Sequence, residues 1–126
     1  MSGLDIDAHG EDDFCYLTTI GRSSGQAHTI EIWFVAHEGC AYLMAGDGRS
    51  DWVRNLRHEP NVRLRIDDVE VPALAHVVED RADPRQPLLR GRMADKYGER
   101  EGDGSLTGWA QRAVLVEVCP SDPPLA

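Results

Sequence analysis

Phe14-Cys15-Tyr16-Leu17-Thr18-Thr19-Ile20-Gly21-Arg22-Ser23-Ser24-Gly25 runs from an alternating segment straight into a glycine-bounded polar loop. Phe14, Tyr16, Thr18 and Ile20 fall on one side of an extended chain, and Cys15, Leu17 and Thr19 on the other. That period of two, with β-branched and aromatic residues, predicts a strand. Gly21 to Gly25 then permits a tight turn. The next segment, His28 to Ala36, is rich in β-branched and aromatic residues and carries bulk on both faces, so it reads as a central strand. His37-Glu38-Gly39 reads as a hairpin turn into a strand from Cys40 to Ala45, which Gly46-Asp47-Gly48 ends.

Farther along the chain the same rules apply. Ser50 is placed to cap a short helix from Asp51 to His58, with Trp52, Val53 and Leu56 on one face and Pro60 as its stop. Val62, Leu64 and Ile66 alternate with Arg63, Arg65 and Asp67, which predicts a half-buried strand. Asp67-Asp68 turns the chain into a further strand, Val69 to Val78, where Pro72 calls for an edge position or a bulge. Asp83-Pro84 opens a helix reaching Lys96. Gly98 to Gly108, with four glycines and three acids, reads as a mobile loop, and Arg112 to Val118 as the last strand. The expected fold is mainly β (α+β), a split β-barrel of about six antiparallel strands with two short helices.

Composition narrows the function. The 126 residues suit one domain, and a hydrophobic fraction of 41% supplies a core. We divide the chain into a flexible acidic N-terminus (1–13), a barrel domain (14–119) and a tail (120–126). A formal net charge of −9 argues against nucleic acid or anionic membrane as partner. No segment approaches the roughly 20 apolar residues of a transmembrane helix. Cys15, Cys40 and Cys119 are odd in number and form no C-x-x-C pair, which argues against a disulfide scaffold and for a reducing cytoplasm.

Four groups of residues could carry chemistry. Arg22, Ser23 and Ser24 between glycines suit a phosphate, though the same spacing suits a plain polar hairpin. Arg49, Arg54, Arg57, Arg63 and Arg65 make a locally basic stretch that suits a small anion or a solvated surface. Trp33, Trp52 and Trp109 suit a planar heterocycle or ordinary core packing. Glu31, set between Ile30 and Ile32, needs a partner if it points inward and none if it faces solvent. The dispersed histidines show no metal-binding spacing, and there is no nucleophile elbow. Redox chemistry would therefore need a bound cofactor, and no residue is singled out as catalytic.

Taken in order, Tyr16 to Gly25, His28 to Phe34, Trp52-Val53-Arg54-Asn55-Leu56 and Pro60-Asn61-Val62 resemble the flavin/deazaflavin oxidoreductase superfamily. The nearer match is its F420-dependent nitroreductase-like branch, related to pyridoxamine-phosphate-oxidase-like FMN-binding proteins. The resemblance covers about Phe14 to Val78, with a weaker echo from Trp109 to Cys119. It implies a split barrel, usually a homodimer, holding coenzyme F420 or, alternatively, FMN. It also implies hydride transfer to a small organic acceptor such as a quinone or nitro compound. By that resemblance Arg22, Ser23 and Ser24 contact the cofactor phosphate, and His28, Thr29, Ile30, Glu31 and Ile32 run beside the ring. Met44, Ala45, Gly46 and Asp47, with Trp52 and Asn55, close the pocket. The family loop usually carries lysine where this chain has Ser23. The alternatives are an FMN-dependent split-barrel oxidoreductase and a non-catalytic carrier of flavin, haem or lipid.

Overall fold

In a computed structural model, which describes residues 4–46 and 49–121, seven strands pair antiparallel in one sheet. They are β1 (Cys15–Ile20), β2 (Ala27–Ile32), β3 (Val35–His37), β4 (Cys40–Ala45), β5 (Asn61–Ile66), β6 (Val69–Val77) and β7 (Val114–Pro120). Helices α1 (Asp51–His58), α2 (Arg85–Tyr97) and α3 (Gly108–Arg112) and a 3-10 turn (Asp7–His9) complete the fold.

The sheet order, β2-β1-β5-β6-β7-β4-β3, forces the architecture. In a flat sheet its two edges would stand roughly 29 Å apart, from an interstrand spacing of ~4.8 Å. Yet β2 and β3 are joined only by Trp33 and Phe34, a link that reaches about 11 Å at most. The sheet must therefore curl until its edges meet, and it forms the expected split barrel. The segment His28 to Ala36 is accordingly not one central strand. It is the end of one edge and the start of the other. Its bulk on both faces arises because the chain crosses the seam: Phe34 and Val35 are buried, whereas His28, Thr29 and Glu31 are exposed.

Alternation read from sequence holds inside the barrel. Cys15, Leu17 and Thr19 of β1, and Val62, Leu64 and Ile66 of β5, are all buried. The β3–β4 turn at Glu38-Gly39 takes positive φ at both residues (49° and 81°), the geometry a two-residue hairpin favours. Pro72 is opposite Arg63 of β5, and pairing with β7 begins only at Ala73. The missing N–H thus falls at the locally open end of an interior strand. α2 starts one residue later than expected, with Pro84 at its N-cap position, and Asp83 Oδ1 accepts the Arg85 N–H at 2.9 Å. Ser50 holds the N-cap position of α1 without making the side-chain capping bond.

Three expectations change. From Leu4 onward the acidic lead-in is docked, with Leu4 and Ile6 in the main core; two apolar residues outweigh the surrounding charges. The Gly98 to Gly108 segment is folded by an Arg100–Leu106 bridge, an Arg100–Asp95 ion pair of 2.6 Å and α3, so the last strand starts at Val114. Cys40 and Cys119 form a disulfide, because pairing of Ala41 with Val118 sets them opposite one another across β4 and β7. Among the described residues no helix is long and apolar enough to cross a membrane.

Candidate active site

The β1–β2 loop and α1 enclose a cleft of about 670 Å³. Gly21 and Gly25 shape the loop. A Cβ on Gly21 would stand 2.5 Å from Ser24 Oγ and 3.0 Å from His28 Nε2, so a larger residue there would push both side chains aside. Gly25 has φ +70°, in the left-handed region that glycine enters without strain. Its N–H donates to Gly21 O at 2.9 Å, and the Gln26 N–H donates to Ser24 Oγ at 3.1 Å. The loop is thereby held by hydrogen bonds within itself.

Asn55 anchors the loop to α1. Its Oδ1 accepts both the Arg22 backbone N–H (3.2 Å) and the Arg22 guanidinium (2.8 Å), while its Nδ2 donates to Thr19 Oγ1 at 3.3 Å. Asn55 and Thr19 are both buried, so these polar groups satisfy one another, as burial requires. The second arm of the guanidinium meets Asp51 Oδ1 at 3.4 Å. Asp51 is 84% exposed, so this pair is a weak, screened tether. Arg22 is thus oriented by a buried amide and only lightly neutralised. Ser23 has no hydrogen-bond partner among the described residues. An anion could engage a preorganised guanidinium and a free serine there.

The cleft gathers Arg22, Ser23, Ser24, His28, Thr29, Ile30, Trp52 and Asn55 from the expected set. It does not gather the rest. Glu31 points to solvent and accepts a 2.6 Å bond from the Tyr16 hydroxyl; that bond is the main cause raising the tyrosine's pKa. Ile32 packs on the main core. Met44 and Ala45 are buried, and Gly46 lies against Trp109. Asp47 lies outside the described residues. The basic stretch does not assemble either. Arg57 pairs with Glu79, Arg63 with Glu70, and Arg65 stacks on Tyr16. Trp52 lines the cleft, while Trp33 stacks on Tyr97 (4.3 Å, 5°) and meets Trp109 edge-on at 5.8 Å in a separate cluster.

Thr19, Gly21, Ala27 and Asp51 also line the cleft and were not read as site residues. Thr19 looked like an inward strand position and Asp51 like a first-turn helix acid. Only the approach of α1 to the β1–β2 loop gives them a second role.

A polar loop, an exposed strand and an indole around one cleft suit a flat ligand with an anionic tail. Solved structures with this fold include the conserved hypothetical protein Rv2991 of Mycobacterium tuberculosis (20% identity, TM-score 0.72, covering 97% of this chain and 82% of that one). They include the heme storage protein HutZ of Vibrio cholerae (19%, TM-score 0.72, 98% and 93%). An F420 reductase shares 17% identity at TM-score 0.67, covering 97% and 96% of the two chains. No curated protein sequence matches. The family model of the F420H(2)-dependent quinone reductases matches residues 6–119. The chain therefore belongs to the F420H(2)-dependent quinone reductase family, and is an oxidoreductase that works with coenzyme F420.

Proposed function

We propose that the protein transfers hydride between F420 and a small organic acceptor such as a quinone or nitro compound, with the cofactor in the cleft beside α1. The observation that carries this reading is the convergence of Arg22, Ser23, Ser24, the outer half of β2 and Trp52 on a single cleft. When bound, F420 supplies the hydride from its deazaflavin ring. The chain's own work is to bind, orient and shield. Arg22, held by Asn55, would bind the phosphate together with Ser23 and Ser24. His28, Thr29 and Ile30 would run beside the ring, and Trp52 would cover it from water. Orientation of this kind supplies much of the rate in such reactions.

Fluorescence-quench titration with F420 and, separately, FMN tests the assignment. F420 should bind in preference, and Arg22→Ala should weaken it by roughly 1.5–3 kcal/mol, the worth of a charged hydrogen bond. Unchanged affinity in that variant sinks the loop assignment, and preference for FMN sinks the cofactor choice at this cleft. Oxidation of reduced F420 by a quinone and by a nitroaromatic then identifies the acceptor class. A homodimer is part of the same proposal. It is supported by Ile20 and Leu74, exposed on the outer sheet face, and by exposed Phe14 just before β1. Sedimentation at micromolar concentration reads it directly.

A further inference from the structure

A second groove, of about 300 Å³, runs between the end of β6 and α3. Its walls include the side chains of Arg57, Arg81 and Arg112 against one acid, Glu79. Glu79 is taken by Arg57. Asp80 turns its carboxylate onto the Ala82 N–H. Arg81 donates only to the Gln111 carbonyl, at 2.9 Å, and Arg112 has no hydrogen-bond or ion-pair partner among the described residues.

Behind this wall lies Arg90, 4% exposed. Its Nε donates to Gln86 Oε1 at 3.0 Å and one terminal nitrogen donates to the Ala110 carbonyl at 2.9 Å. The other terminal nitrogen is buried without a partner among the described residues. Burial, and after it the charge of Arg81, pull its pKa down to about 10. Arg81 and Arg90 are tied to successive carbonyls of α3, those of Gln111 and Ala110, and their like charges repel. A buried cation lacking a counter-charge is costly, and the carbonyl ends of a five-residue helix offset only part of that. In a chain with 22 acids and 13 lysines and arginines, three arginines around α3 that form no ion pair among the described residues are a specific arrangement, because the carboxylates near them are engaged elsewhere.

We propose that this groove is a second anion site, separate from the cleft beside α1, that takes a small multiply charged oxyanion, phosphate or polycarboxylate, between Arg81 and Arg112. The bound charge would relieve the repulsion between Arg81 and Arg90, and guanidinium groups would meet it in paired fashion.

Calorimetric titration of the whole chain with inorganic pyrophosphate, and separately with citrate, tests this and tells the two sources apart. At least one should bind saturably at one site. Arg112→Gln and Arg81→Gln should each weaken that binding on the order of ten-fold. Arg63→Gln, on the outer sheet face, should leave it unchanged. Arg112→Gln is the cleaner variant, since Arg81 also holds a carbonyl of α3; circular dichroism checks the fold of both. Absence of saturable binding by either anion overturns the proposal. So does binding that survives both groove variants, or that is abolished by Arg22→Ala.

Discussion

β2 and β3 are neighbours in sequence and opposite edges of the sheet, yet they live in different surroundings. β2 pairs only with β1, exposes His28, Thr29 and Glu31, and gives its first half to the cleft. β3 packs under α2, where Val35, Tyr42, Met44, Leu89, Met93, Ala113 and Leu115 form a second core. The seam between them is pinned from α2. Lys96 Nζ donates to the Phe34 carbonyl at 2.8 Å, and the Tyr97 hydroxyl accepts the Phe34 N–H at 3.1 Å and donates to Asp13 O at 2.7 Å. The difference separates two jobs. The β3 side holds the curl closed, and the β2 side stays open and polar along the cleft.

The comparison breaks if damage to the β3 side alters binding as strongly as it alters stability. Leu89→Ala, which empties a fully buried site in α2, should cost about 2–5 kcal/mol of unfolding free energy. F420 affinity should be nearly unchanged while the protein remains folded; parallel denaturation and titration read both. Removing the bridge that closes a separation of 79 residues, by Cys119→Ser, should cost about 2–4 kcal/mol, again with little effect on the cleft. A denaturation midpoint insensitive to reductant would show that the bridge is not part of the stable fold.

Alkaline pH sharpens the contrast, because the groups that resist ionisation are near the seam. Burial pushes the Cys15 thiol from 9.0 to about 12 and the Tyr97 phenol from 10.0 to about 12. Both stay protonated in the fold when the unfolded chain has lost its proton. Their stabilisation is complete below pH 9 and is lost progressively as pH rises from 9 through 12, by up to about 1.4 kcal/mol per pH unit per group. Lys96, whose pKa is lowered chiefly by burial, works in the opposite direction below 10.5. Denaturation between pH 8 and 11 should show the net decline, and Cys15→Ala should flatten it. The smallest effect belongs to the cleft side. Gly25→Ala, at φ +70° with open space for a Cβ, should cost about 1 kcal/mol of stability, yet it should loosen the loop and weaken F420 binding measurably in the same titration.

Much of this molecule was legible from residues alone. Alternation in β1 and β5, the Glu38-Gly39 turn, β4 from Cys40 to Ala45 and α1 from Asp51 to His58 follow from local pattern. These are short-range properties, set by backbone period, turn conformations and burial of one face. The glycine-bounded polar loop was visible for the same reason, since Gly21-Arg22-Ser23-Ser24-Gly25 carries its turn geometry and its charge within five residues. What local pattern could not show was where elements meet. Nothing in His28 to Ala36 says that the chain leaves one edge of the sheet and enters the other. Nothing in Asp51 or Thr19 says that each faces Arg22 or its anchor Asn55. Arg49 to Arg65 is one basic stretch in sequence, but helix and strand periodicity send Arg57, Arg63 and Arg65 to three different partners. Cys40 and Cys119 became partners only through the β4–β7 register.

The sequence by itself determined β1, β4, β5, α1, the charge of the β1–β2 loop and the family-like order of motifs, because each depends on residues within one turn or one strand. Closure of the barrel, the division between an open β2 edge and a packed β3 edge, and the arginines gathered around α3 were decided by tertiary structure alone. They depend on contacts between residues far apart in the chain, and only the curled sheet brings those residues together.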